Sequence, residues 1–363
     1  MYGEQDFAVY WSAFQLFIQG QSPYDHASME AVQCSIRGNC GNALFFWNPP
    51  WLLFLMAPIL YLPFEIAATA WILIGIALSC TAALLIADCY GLTRRRVLYA
   101  LVGVIVSAPL ALSFWLGQTG ALLLFAAALL LHGRVKTGSK LQQAVALLII
   151  SIKPHLFFLL GVAILWDELT QRRYALILFP TAMLLLLCSV LAVLNPFAMV
   201  DWLALFVGLS AEGSVLGLTG WNTSTLSNFL KRHLWGLLGD DANKLLIATP
   251  IVSISLLLFW LRVQQTLDWR QLLPVLLVLS MWLAPYGWAY DWAAFGVLQA
   301  CVLCRLSEGP SLPLWLMTGV VAAAQYLAGF LQFGLHLSMA ALVWLPGILL
   351  GLWYLAAKIP VKA

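Results

Sequence analysis

AATAWILIGIALSCTAALLIA, Ala67 to Ala87, runs for 21 residues without one charge. A helix rises about 1.5 Å per residue, so roughly 20 such residues cross the ~30 Å hydrocarbon layer of a bilayer. Ala175 to Leu194 and Ala340 to Ala357 have the same character. A membrane barrel would need short alternating segments instead, and none stand out. Composition agrees: 63% of the 363 residues are hydrophobic and 9% charged, against about 25% charged in an ordinary soluble domain. A water-soluble fold has too little interior to hide that much apolar surface. The expected fold class is all-α, a polytopic helical membrane protein with one transmembrane domain over 1–363.

Outward from that stretch, apolar spans are predicted at 66–88, 97–114, 117–132, 174–195, 248–263, 271–285, 289–305, 312–332 and 340–357. Two shorter segments, 141–152 and 154–166, meet at Lys153-Pro154 and predict a broken pair that enters the membrane partway and returns. Irregular backbone at that depth is tolerated only where it lines a cavity or is buried in protein. Segment 49–63 is short and holds four prolines, which predicts an interfacial or re-entrant helix.

Orientation follows from the positive-inside rule. One side receives Arg94, Arg95, Arg96, Arg134, Lys136, Lys140, Arg172, Arg173, Arg262, Arg270, Arg305, Lys358 and Lys362. The other receives Arg37, Lys153, Lys231, Arg232 and Lys244, so thirteen of the eighteen basic residues fall on the first side. That side is the cytoplasm and holds the C-terminus. The polar stretches 1–48 and 196–247 then face outward, and an exterior segment starting at Met1 predicts a further span upstream. The charged residues of the cytoplasmic loops are expected to be solvated. A net charge of +3 without a basic stripe excludes nucleic acid as a partner. The seven cysteines form no metal-binding spacing. Cys34 and Cys40 share an outer polar loop and are disulfide candidates there.

The informative polar residues lie on the outer side. Asp6 opens DFAVYWSAFQLFIQG, where Phe7, Tyr10, Trp11, Phe14 and Phe17 form a helical aromatic stripe suited to the headgroup layer. Its spacing suits a helix N-cap better than a general base. Lys153 sits beside Pro154 and His155 at the turn of the broken pair. Ionisable groups at that depth are costly and usually line a pathway or meet an opposite charge. Asp291, in APYGWAYDW, reads equally as a cap. Gln118, in FWLGQTG, reads as a polar turn residue. Lys231, Arg232 and His233 read as a solvated helix face.

Taken in order, DFAVYWSAFQLFIQGQSPYD, FFWNPPWLLFLMAPILYLP, FWLGQTGALLLFAAALLLHGR, ISIKPHLFFLL, WNTSTLSNFLKR and APYGWAYDW resemble glycosyltransferase family 87 from Asp6 to about Asp291. This family belongs to the C-type superfamily, whose donors are sugars on polyprenyl phosphate. The resemblance implies a C-type fold with interfacial helices in the first outer loop, in the bacterial cytoplasmic (inner) membrane, with the active site facing the periplasm. It assigns Asp6 the role of catalytic base and so reverses the preference for a cap. It also implies that Lys153 holds the donor phosphate, helped by Arg232, Lys231 and His155. Tyr10, Trp11, Tyr24, Gln118, Trp221, Asn222, Tyr290 and Asp291 become candidates for contacts to sugar or acceptor. Some family members carry His where this chain has Tyr290 or Asp291.

The implied reaction moves a sugar, mannose by default or a pentofuranose, to a hydroxyl of an envelope glycan or glycolipid. The polyprenyl phosphate is already a good leaving group, so the protein needs a carboxylate for the acceptor proton and cations for the phosphate. One displacement inverts the anomeric centre. No cofactor is expected, and two outer carboxylates are a sparse set for a hard metal ion. Two other classes compete. A flippase or transporter of lipid-linked sugars predicts internal inverted repeats, and none is evident. A glycan polymerase or ligase with a pyrophosphate-linked donor predicts more outer arginines than Arg37 and Arg232 supply.

Overall fold

The computed structural model describes residues 5–38, 43–210, 223–264, 266–309, 311–334 and 342–359. The regular elements among those residues are all helices, with no strand. The N-terminal segment forms α1 (Gln5–Ile18), α2 (His26–Arg37) and α3 (Trp51–Leu60). There follow α4 (Phe64–Cys89), α5 (Arg94–Ile105), α6 (Ala108–Leu116), α7 (Gly120–His132), α8 (Lys140–Ile150) and α9 (Phe158–Thr170). The centre of the chain holds α10 (Ala175–Leu194), α11 (Pro196–Ser210), α12 (Leu226–Leu238) and α13 (Leu245–Val263). The last helices are α14 (Trp269–Leu283), α15 (Gly296–Leu306), α16 (Leu312–Gly334) and α17 (Leu345–Ala356).

Among the described residues, five stretches are long and apolar enough to cross a membrane: Phe64–Cys89, Gly120–Thr137, Ala175–Leu194, Leu226–Val263 and Leu312–Leu331. Together with the composition they make this a multi-pass membrane protein. The predicted span 97–114 is instead two helices, α5 and α6, bent by 60°. Pro109 sits in the first turn of α6 and has no N–H to return to Ile105, so the helix cannot run through. The predicted start of a span at 289 is also different. After α14, Pro285 and Gly287 interrupt the helix, and Ala289–Phe295 is a 3-10 segment leading into α15. The broken pair is present as α8 and α9, joined through a 3-10 turn at Pro154–Leu156. Within 196–247, read as an outer loop, α11 and α12 form ordered helices.

The chain divides into two compact units. The first comprises Met1–Ile76, Phe114–Gln118 and Phe179–Trp221. Its core is aromatic: Phe7 packs against Phe64 and Trp71, Trp11 against Phe64, and Phe14 edge-on against Tyr61 at 4.8 Å. The aromatic stripe of α1 is thus turned largely into protein. Asn195, buried at the α10–α11 junction, donates to the Phe17 and Gln21 carbonyls while its own Oδ1 accepts from the Ala198 N–H. One amide therefore ties off the ends of three helices.

The second unit comprises Ala77–Ser113, Thr119–Leu178 and Asn222–Ala363. Its tightest seam is α5 against α15, where a Cβ on Gly103 would fall 2.5 Å from the Ala300 Cα. Loop charges that the sequence reading expects to be solvated are in part buried here. Glu168 is 0% exposed and Arg134 4%, and Arg134 bridges Asp167 and Glu168 at 2.9 Å each. Arg173 joins both acids and Lys140 approaches Glu168. The Arg134 guanidinium also lies over the Trp269 ring at 4.5 Å. Arg96 is likewise buried against Glu308 at 2.7 Å. Helix packing brings these side chains together, which loop polarity alone does not reveal.

Candidate functional site

In the first unit the chemistry gathers at the N-terminus of α1. Asp6 lies inside the first helical turn, not ahead of it, so its side chain is not an N-cap. Its Oδ2 accepts from Gln118 Nε2 at 2.8 Å, across 112 residues of sequence. Tyr10, one turn further along α1, donates from its hydroxyl to Gln118 Oε1 at 2.6 Å. Both ends of the Gln118 amide are therefore occupied, which sets its flip and presents its NH2 group to the carboxylate. The Gln118 loop is itself held in place. Gly117 adopts a left-handed φ of 72°, a conformation glycine takes without strain, and its carbonyl accepts from Trp71 Nε1 at 3.1 Å.

Two other candidates in this unit have partners within the protein. Trp11 donates from Nε1 to the Leu62 carbonyl at 2.9 Å. Tyr24 donates to the Asn48 carbonyl at 2.8 Å, and burial together with the nearby Asp201 charge pushes its phenol pKa up. Asp25, next to it, caps α2 by accepting from the Ser28 N–H at 2.8 Å. Hydrogen bonding from the Ser28 side chain and N–H holds its carboxyl below the usual range. Cys34 is disulfide-bonded, and its predicted partner Cys40 lies outside the described residues.

In the second unit three of the quoted strings converge. Gly287, in APYGWAYDW, has no room for a side chain: a Cβ there would meet Leu156 Cδ2 at 2.9 Å and Thr225 Cγ2 at 3.4 Å. Its carbonyl accepts from the Ser224 N–H at 3.3 Å, and Ser227 Oγ donates to the Leu283 carbonyl. At this junction Lys153 Nζ meets Asp291 Oδ1 at 2.5 Å. The side chains are 12% and 3% exposed, respectively. Asp291 Oδ2 accepts from the Trp288 N–H at 3.0 Å, at the start of the 3-10 segment. Asp291 is thus not the N-cap, which is Trp288, but lies three residues inside the segment, bonds back to the Trp288 N–H and is the counter-ion of Lys153. The ammonium additionally lies 5.5 Å from the centre of the Tyr290 ring, and His155 stacks on Tyr286 at 4.0 Å.

Lys231 departs from the solvated-face expectation. It is 5% exposed, on a helix whose start is capped by Thr225 Oγ1 and packed through buried Ser227 and Asn228. Arg232 and His233 beside it are exposed, as expected of that face. Trp221 and Asn222 lie outside the described residues. Among the described residues no three His, Cys, Asp or Glu side chains are grouped so as to hold a metal ion.

Two pairings were not read from sequence, Asp6 with Gln118 and Lys153 with Asp291. Each member had been singled out, but for contacts to substrate and not to one another. No local signal joins residues more than a hundred positions apart.

No family model matches the chain, and no curated protein matches it. Among solved structures, the crystal structure of ArnT from Cupriavidus metallidurans in the apo state is similar, with a TM-score of 0.37 and 12% sequence identity. The likeness covers 97% of this chain and 71% of that one. Likeness at this level carries no residue role or activity across.

Proposed function

We propose that the chain is a membrane glycosyltransferase of the family 87 kind, with the C-type fold. It transfers a hexose, mannose by default, from a polyprenyl-phosphate donor to a hydroxyl of an envelope glycan or glycolipid at the outer face. Asp6 removes the acceptor proton as the hydroxyl oxygen attacks the anomeric carbon. Lys153 stabilises charge on the departing phosphate, with Lys231 and Arg232 as further cations. Attack from the face opposite the phosphate inverts the anomeric centre, so a β-linked donor yields an α-linked product.

The observation that carries this reading is the bonding of Asp6. A carboxylate serving only as a helix cap would bond to the backbone N–H groups of its own first turn. Asp6 accepts from the side-chain amide of a distant loop, and a tyrosine on its own helix holds that amide in place. Such an arrangement orients an acid, as general-base catalysis requires. The buried lysine on the other unit adds support, since an ammonium at the turn of a broken helix pair is costly without a task.

Transfer from radiolabelled polyprenyl-phosphate sugars by membranes carrying the protein is the direct test. Asp6→Asn is expected to lower transfer by about 10²-fold or more, the scale of a positioned general base. Transfer at the parental rate by that variant removes Asp6 from the chemistry.

A further inference from the structure

The Lys153–Asp291 pair bears on how the phosphate is handled after the sugar has left. This inference rests on the reading of Lys153 as the phosphate-binding cation. A lysine meant only to grip an anion would do so best without a carboxylate beside it. Here the carboxylate is within hydrogen-bond distance and has little freedom to leave. One of its oxygens holds the ammonium, the other accepts from the Trp288 N–H, and its side chain is 3% exposed.

Geometry then limits where a bound phosphate can sit. An anionic oxygen bonded to Lys153 Nζ at about 2.8 Å lies no more than about 5.5 Å from Asp291 Oδ1, which is itself 2.5 Å from the same nitrogen. Like charges at that distance in a poorly hydrated site repel far more than in water. The penalty scales with the charge on the phosphate, and the reaction changes that charge.

The sugar donor is a phosphate diester carrying one negative charge. In the transfer the bond from the anomeric carbon to the phosphate oxygen breaks, and its electron pair stays on that oxygen. The acceptor oxygen forms the new bond to the anomeric carbon, and the acceptor proton passes to the Asp6 carboxylate. The lipid product is a phosphate monoester, which near neutral pH carries about −1.5 to −2 charges. The second charge appears beside Asp291.

We propose that Asp291 is a specificity-determining residue for phosphate charge: it lets Lys153 hold the monoanionic donor and drives off the more highly charged lipid-phosphate product. The same repulsion disfavours pyrophosphate-linked donors, which bring an extra charge to the same ammonium. Asp291 therefore sets both the donor class and the ease of product release, while Lys153 supplies the attraction.

The test compares two ligands that differ in this charge, a polyprenyl monophosphate and its methyl diester, binding to the full chain in nanodiscs. The parental protein is expected to bind the diester more tightly. Asp291→Asn keeps an oxygen for the Trp288 N–H but removes the charge, and should tighten monophosphate binding about tenfold or more with a much smaller change for the diester. In transfer assays this variant should show stronger inhibition by polyprenyl monophosphate and a lower kcat, with KM for the donor nearly unchanged. Asp291→Glu, which keeps the charge, should retain the parental preference. Parental protein that binds the monophosphate more tightly than the diester overturns the proposal without any variant having to fold. An Asp291→Asn protein with an unaltered ratio of the two affinities overturns it as well. If neither ligand binds the parental protein or Lys153→Met, the donor reading itself fails; binding of both that Lys153→Met abolishes, with no charge preference, leaves that reading standing and removes only the role of Asp291.

Discussion

The two units build polar chemistry in opposite ways. In the first, an acid accepts from a neutral amide: Gln118 donates to Asp6 and Tyr10 steadies Gln118. In the second, charge is met by charge, as Asp291 holds Lys153 and Arg134 spans Asp167 and Glu168. A neutral hydrogen bond orients a carboxylate while leaving it its charge for accepting a proton. A buried ion pair cancels charge, and removing one partner leaves the other stranded in a poorly hydrated site. The first arrangement suits a group that must react. The second suits groups that must stay in place or, at Lys153, attract an anion in moderation.

The comparison can be broken most forcefully at Arg134. Arg134→Ala would leave buried Asp167 and Glu168 only the more exposed Arg173 and Lys140 as cationic partners, and is expected to destabilise the second unit by up to roughly 3–5 kcal/mol, read as a lowered midpoint of thermal unfolding in detergent. A shift no larger than that of an exposed arginine, such as Arg94→Ala, would mean that solvent reaches the cluster after all. Gly287→Ala comes next. Its methyl group would press on Leu156 and Thr225, with an expected cost of about 1–3 kcal/mol. Unfolding midpoint and donor binding should fall together, because the same contact positions Lys153; loss of stability with intact donor binding would separate the two.

In the first unit the effects should fall on rate more than on stability. Gln118→Ala is expected to lower transfer about tenfold, equivalent to about 1.4 kcal/mol, with little change in unfolding midpoint. Transfer unchanged in that variant would make the Asp6–Gln118 bond incidental. The smallest effect is expected at Asp25→Ala, which removes the α2 cap at about 1 kcal/mol. Since the folded pKa of Asp25 is depressed, its contribution is present at neutral pH and lost as pH falls through the folded value. Parental protein and variant should therefore converge in stability in acid, as unfolding measured across pH would show.

Much of this architecture was legible because membrane crossing is a local property of composition. The block from Ala67 to Ala87 needs no partner to declare itself, and α4 covers it almost end to end. Lys153 was legible for a related reason, since a lysine flanked by apolar segments violates the local pattern. The break at Val106-Ser107 was missed because hydropathy averaged over 97–114 overlooks Pro109, whose effect is geometric. Lys231 was misread because Arg232 and His233 beside it are exposed, and only packing of α12 decides which of three adjacent residues turns inward.

By itself the sequence determined that the chain is helical and embedded in lipid, and which few polar residues stand out from the apolar background. Both conclusions depend on free energies of transfer that add up along a short stretch of chain. Only the tertiary structure decided which polar residue answers which: Gln118 for Asp6, Asp291 for Lys153, Arg134 for Glu168. A hydrogen bond or ion pair forms over about 3 Å, and no local pattern specifies that distance between groups far apart in the chain.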